Sequence, residues 1–115
     1  MGGKWLEKKY FDAQVSRVVL AIPHGKVASY GQVASLAGFP RYSRQVSKTL
    51  NRRGDSLPWH RVVGSLDKNR FKISARNEAH ATLQRERLLK EGVWVEPTFA
   101  IKRVDHSWLP QDFVK

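Results

Sequence analysis

Ser29-Tyr30-Gly31-Gln32-Val33-Ala34-Ser35-Leu36-Ala37-Gly38, followed after Phe39-Pro40-Arg41 by Tyr42-Ser43-Arg44-Gln45-Val46-Ser47-Lys48-Thr49-Leu50-Asn51-Arg52, is the stretch whose reading decides the fold. Ser29-x-x-Gln32 has the form of a capping box, in which two side chains satisfy the free N–H groups of a helix's first turn. Val33, Leu36 and Ala37 then fall on one side and Gly38 supplies a C-terminal stop, so a helix of about two turns is expected. Tyr42 to Arg52 reads as a second helix, with Val46 and Leu50 one turn apart on its inner side. Its other side carries Arg44, Ser47, Lys48 and Asn51 at i, i+3, i+4 and i+7, a polar stripe two turns long. Two short helices around a Gly-containing turn, the second with a basic polar face, outline a helix-turn-helix. A polar stripe alone is also what any solvated helix face shows.

Upstream, Phe11, Val15, Val18, Val19 and Ile22 recur at i, i+4, i+7, i+8 and i+11, one face of a helix from Tyr10 to Ile22 that Pro23-His24-Gly25 stops. Downstream of Gly54-Asp55-Ser56, the run from Leu57 to Gly64 reads as extended, with a β-branched pair and a terminal glycine. Phe71 to Ile73 reads as a short extended piece. Asn77 to Glu91 reads as a charge-rich helix ended by Gly92, packing on Ala79, Thr82, Leu83 and Leu89, with Leu88 off that side. Val93-Trp94-Val95 and Phe99-Ala100-Ile101 flank Pro97 as two short strands or a strand-like arm.

Across 115 residues, 21 Lys and Arg face 10 Asp and Glu, giving a formal charge of +11. On a compact domain such a surplus favours a polyanionic partner, because Lys and Arg displace the counterions condensed on a phosphate backbone. Cysteine is absent, which excludes thiol nucleophiles, disulfides and Cys-ligated metal sites. His24, His80 and His106 lack metal-ligand spacing and read as surface residues, so neither metal nor cofactor is expected. No apolar run approaches the roughly 20 residues that cross a bilayer, and no basic amphipathic helix has a large apolar face. The start Met1-Gly2-Gly3-Lys4-Trp5-Leu6 lacks a signal-peptide core, and Leu6 stands where myristoylation wants Ser or Thr. A cytoplasmic protein of one domain, residues 1–115, without a membrane partner, is expected.

The most specific string is Pro58-Trp59-His60-Arg61-Val62-Val63. It resembles the active-site signature Pro-Cys-His-Arg-Val of the O6-alkylguanine-DNA alkyltransferases, with Trp59 at the place of the acceptor cysteine. Ser29-Tyr30-Gly31-Gln32-Val33, Ala37-Gly38-x-Pro40, Ser43-Arg44-Gln45-Val46 and Leu88-Leu89-Lys90-Glu91-Gly92 resemble the same family. The resemblance runs from Phe11 to Gly92, the family's DNA-binding and active-site domain without its N-terminal domain, and leaves residues 93–115 as a C-terminal arm. It implies a mainly α fold with short strands, a winged-helix-like helix-turn-helix domain. Tryptophan in place of cysteine is similar to the non-catalytic, alkyltransferase-like branch. That branch binds O6-alkylguanine in double-stranded DNA, flips the damaged nucleotide into a pocket and channels the lesion to nucleotide excision repair, in bacteria to UvrA. A monomer without cofactor is implied.

The residue chemistry agrees with a non-catalytic role. Dealkylation needs a thiolate to attack the alkyl carbon, and an indole is neither ionised at neutral pH nor a comparable nucleophile. Trp59 does offer a flat face and one N–H donor to an extruded base, a stacking contact of about 1–3 kcal/mol. A plain core tryptophan is the other reading. The resemblance assigns nucleotide flipping to Tyr30, which rotates the phosphate, and Arg44, which fills the vacated stack; Arg44 as a simple phosphate contact is the alternative. Gln45, Ser47, Lys48 and Asn51 complete the DNA-binding face. The family carries small residues after the arginine, so Gln45, Ser47 and Lys48 here would reach phosphates at the groove edge and alter the depth of insertion.

Trp59, Tyr30, Val62, Ser74 and Arg61 are the lesion-pocket residues the resemblance implies, closed by the backbone around Val62-Val63 and the loop from Lys72 to Arg76. His60 and Glu91 match the family's His and Glu that activate the cysteine through water. With no cysteine to deprotonate, they are expected as a buried hydrogen-bonded pair that holds the pocket, with Arg61 anchoring the loop. In the arm, Trp94, Lys102, Arg103 and Trp108 close over the pocket, contact DNA or finish the core. Two other functions compete: a sequence-specific helix-turn-helix regulator, and an acid–base enzyme using His60 with Glu91.

Overall fold

The computed structural model describes residues 2–110, with side chains from residue 7 onward. Residues 111–115 of the expected C-terminal arm, and Met1 with the side chains of residues 2–6, lie outside what is described. Helix α1 (Gly2–Ala21) begins well before the apolar period shows itself and ends one residue short of Ile22. The five residues of that period, Phe11, Val15, Val18, Val19 and Ile22, are all buried. No described helix is long and apolar enough to cross a membrane.

Helices α2 (Tyr30–Leu36) and α3 (Ser43–Arg53) form the helix-turn-helix. Ser29 caps α2, its Oγ accepting the Gln32 N–H at 3.0 Å. The reciprocal half of the capping box is not made: the Gln32 amide donates instead to the Trp108 carbonyl at 3.1 Å, tying the C-terminal segment to α2. Gly38 takes φ +93°, a left-handed conformation that ends the helix without a Cβ penalty. On α3, Val46, Thr49 and Leu50 are buried. Thr49 Oγ1 donates to Asp12 Oδ1 at 2.9 Å and Arg52 pairs with the same carboxylate, fixing α3 against α1.

Four short strands form one sheet in the order β1-β2-β3-β4: β1 (Ala28–Ser29), β2 (Val62–Ser65), β3 (Arg70–Lys72) and β4 (Ala100–Lys102). β1 runs parallel to β2 with Ala28 opposite Val62, and the other pairs are antiparallel. Because successive strand residues face opposite sides, Ala28 and Val62 join the helical core with Phe11, Val15 and Val33. Val27 and Val63 join a second core with Phe71, Leu88, Val93 and Ile101. Two expectations are corrected here. Trp59–Arg61 is a tight 3₁₀ turn rather than extended chain, and Val93 to Val95 forms no strand although both valines are buried.

Helix α4 (Glu78–Lys90) is capped by Asn77, whose side chain accepts the His80 N–H at 2.9 Å. Its packing side differs from the expected one. Gln84 and Leu88 are buried, whereas Ala79, Thr82, Leu83 and Leu89 are exposed. A polar residue holds the core position because the Gln84 amide donates to the carbonyls of His60 at 3.1 Å and Val62 at 3.0 Å. Counting only apolar residues shifts the stripe. A short helix α5 (Arg103–His106) leads to Trp108, whose side chain is buried in the helical core and whose backbone N–H donates to the Val27 carbonyl at 2.9 Å.

Candidate nucleic-acid interface

The turn Pro58–Val62 is fixed from behind by one carboxylate. Glu91 sits at the C-terminal end of α4 and accepts from Arg61 Nε (3.0 Å) and Nη2 (2.9 Å), from the Gly25 N–H (3.0 Å) and from His60 Nε2 (2.6 Å). Arg61 also donates to the Ile22 carbonyl at 2.9 Å, so the end of α1, the 3₁₀ turn and the end of α4 meet here. Burial disfavours the charged carboxylate, but the bonds from Arg61, Gly25 and His60 outweigh it and hold the Glu91 pKa at about 2. An ionised carboxylate only accepts, so the proton of that short bond is on His60 Nε2. His60 Nδ1 is buried and finds no partner among the described residues. The expected pair of His60 and Glu91 is thus a cluster of four groups with Arg61 and Gly25.

In front of the turn lies a cavity of about 230 Å³ beside α3. Tyr30, at the first position of α2, and Ser47, Leu50 and Asn51, on one side of α3, form part of its wall. Asp55, Trp59, Arg76, His80 and Gln84 form much of the rest. Trp59 is both a core residue and a wall of the cavity, only 9% exposed. Its indole N–H donates to Asp55 Oδ1 at 2.9 Å, and the guanidinium of Arg87 lies 5.2 Å from its ring centroid. Arg87 also bonds Asp55 at 2.8 Å, and these two donors, with the charge of Arg87, hold the Asp55 pKa at about 2. Burial pushes the Tyr30 hydroxyl upward, so it stays a neutral donor.

Three of the residues expected in the pocket are elsewhere. Val62 is fully buried in the helical core, Arg61 is committed to Glu91, and Ser74 is exposed beyond β3, where its Cβ approaches Gly64. From the loop expected to close the pocket, Arg76 rather than Ser74 reaches the cavity. His80 is also corrected. It is not a free surface residue: its ring stacks on Trp59 with centroids 4.4 Å apart and planes 10° from parallel. Sequence reasoning missed it because a lone histidine in a helix's first turn carries no periodic signal, and its partner lies 21 positions away (80 − 59). Asp55 was missed as well, being read only as part of a turn.

The polar stripe of α3 is divided. Ser47 and Asn51 face the cavity, while Gln45 and Lys48 border a second hollow of about 740 Å³ between α1 and α3, walled by Tyr10, Phe11, Phe39 and Tyr42. Arg44 is exposed and borders neither. In the arm, Trp108 finishes the core, Arg103 lies over Phe71 at 4.2 Å, and Trp94 and Lys102 are exposed; none of the four borders the cavity.

Residues 10–93 match the family model of the 6-O-methylguanine DNA methyltransferase DNA-binding domain. The chain belongs to this family. It is 42% identical over 100 residues to the DNA base-flipping protein of Escherichia coli, covering 85% of this chain and 74% of that one. To Alkyltransferase-like protein 1 of Schizosaccharomyces pombe it is 35% identical, covering 87% of this chain and 95% of that one. Its fold is similar to that of S. pombe Atl1 in complex with damaged DNA containing O6-carboxymethylguanine. The TM-score is 0.74 at 33% identity, covering 89% of this chain and 97% of that one. The helix-turn-helix, the 3₁₀ turn and α4 lie inside the family match, whereas β4 and Trp108 lie after it.

Proposed function

We propose that this protein is a non-enzymatic sensor of O6-alkylguanine that binds duplex DNA through α3, flips the damaged nucleotide into the cavity at Trp59 and channels the lesion to nucleotide excision repair. The observation that carries the reading is that cavity. It opens beside the helix-turn-helix, has an indole and a neutral tyrosine in its wall, and lies over a turn braced by Glu91. The relative in E. coli bears the name of a DNA base-flipping protein, and the similar S. pombe structure holds O6-carboxymethylguanine DNA. No residue here can accept an alkyl group as a thiolate does, since the chain has no cysteine and Trp59 spends its N–H on Asp55.

In this reading Tyr30 turns the phosphate, Arg44 enters the vacated stack, and Gln45, Ser47, Lys48 and Asn51 hold the backbone. Flipping costs a few kcal/mol of lost pairing and stacking, and a planar guanidinium replaces part of that stack while offsetting phosphate charge. The 115 residues act as one cytoplasmic monomeric unit, without cofactor, and the excision-repair machinery is the downstream partner. The test is a titration at one stated salt concentration with two duplexes that differ only by O6-methylation of a single guanine. Tighter binding to the methylated duplex, with protein of unchanged mass recovered, is expected. Equal binding, or a protein heavier by one methyl group, overturns the proposal. Enrichment of one motif from a random duplex library would point instead to a sequence-specific regulator.

A further inference from the structure

The indole of Trp59 already has an aromatic partner in the DNA-free protein. Its ring lies 4.4 Å from that of His80 and 10° from parallel, the geometry in which a planar heterocycle stacks. With Trp59 only 9% exposed, a purine cannot spread over the indole while the imidazole is there. We propose that His80 is an internal stand-in for the extruded base, a competitor that must leave Trp59 before a purine can stack there. The proposal rests on the lesion-binding reading above.

Three features of His80 fit a displaceable occupant rather than a fixed wall. It stands in the first turn of α4, and Asn77 holds that turn by the backbone N–H of His80 and not by its side chain. Its Nδ1 is buried and has no hydrogen-bond partner among the described residues, so the stack is what positions the ring. Burial, with Arg76 and Arg87 nearby, pushes its pKa down, so at neutral pH the ring is an uncharged aromatic. A fused purine offers a larger π-face than an imidazole, so the exchange favours a base once it has been extruded. An intact guanine must also pay for leaving its pair. A base with weakened pairing pays less, and an occupied indole raises the threshold for both.

The test compares wild type, His80→Ala and His80→Phe in titrations against the same two duplexes, guanine and O6-methylguanine, with melting curves to confirm folding. Removing the stand-in is expected to tighten binding of the methylated duplex about three- to tenfold, the reciprocal of one modest stacking contact. Binding of the unmodified duplex should change less, since it is dominated by phosphate contacts. A phenyl ring, stacking at least as well and unable to hydrogen-bond, is expected to weaken lesion binding. If wild type prefers the methylated duplex but His80→Ala binds it equally or more weakly, His80 is a wall and this proposal is overturned while the lesion reading stands. If wild type shows no preference, the lesion reading itself fails and takes this proposal with it.

Discussion

Charge is used in two contrasting ways on either side of the 3₁₀ turn. Behind it, Glu91, Arg61, His60 and the Gly25 amide converge within hydrogen-bond distance, and the side chains of Glu91 and Arg61 are 9% and 17% exposed. Along α3, the cations Arg44 and Lys48 are exposed. Every donor that meets Glu91 compensates a desolvated carboxylate, so each is a condition of the fold. Unlike Arg52, which pairs with Asp12, Arg44 and Lys48 make no ion pair among the described residues and are available to phosphates. Substitutions behind the turn should therefore act first on stability, and substitutions of Arg44 or Lys48 on binding.

The largest effect is expected at Glu91. Glu91→Gln removes the charge and leaves the Arg61 guanidinium desolvated without a carboxylate, a loss of about 3–5 kcal/mol in denaturant unfolding. The same site sets an acid limit. The folded pKa of about 2 lies below the ordinary 4.5, so the stabilisation is fully present above pH 4.5 and is lost as pH falls through 4.5 towards 2. In wild type, stability should fall steeply in that window; in Glu91→Gln the slope should be shallower. Equal slopes would mean that Glu91 is not the group that carries the acid sensitivity.

Legibility in the sequence followed the same division. The face of α1, the Ser29 cap, the Gly38 stop and the buried Val46 and Leu50 were readable because each is local, a matter of spacing or of one residue's conformation. The packing side of α4 was not. Gln84 is buried on account of two carbonyls in the turn at His60 and Val62, and nothing local to α4 announces such partners. The two-residue strand β1 was also illegible, because it exists only by lying in register with Val62 and Val63, far along the chain. At the candidate site, Trp59 and Tyr30 were legible through a motif. Motif neighbours Arg61 and Val62 were drawn into the pocket by adjacency, although one points to Glu91 and the other into the core. His80 and Asp55 came from segments whose position beside Trp59 is decided only by tertiary packing.

A smaller effect, confined to binding, is expected at Arg44. Arg44→Ala should weaken binding to the O6-methylguanine duplex about ten- to a hundredfold, the worth of one stacking contact and one charge, while the melting temperature stays at the wild-type value. Arg44→Lys sharpens the contrast, because it keeps the charge without the planar guanidinium. It should restore most of the binding to plain duplex but little of the preference for the lesion. Undiminished lesion binding by Arg44→Ala would remove Arg44 from the flipping step.

The smallest effect is expected at Lys48, and it tests whether the two sides of α3 act independently. Lys48 borders the hollow between α1 and α3, whereas Ser47 and Asn51 border the Trp59 cavity. A lysine that meets only a phosphate contributes through counterion release, which is blind to the base. Lys48→Ala should therefore lower the slope of log affinity against log salt by about 1, equally for guanine and O6-methylguanine duplexes, leaving their ratio unchanged. Stability should stay within about 0.5 kcal/mol, since the side chain is exposed. If the ratio between the duplexes moves with the slope, phosphate grip and base capture are coupled through α3. Its depth in the groove would then help determine which nucleotide reaches Trp59.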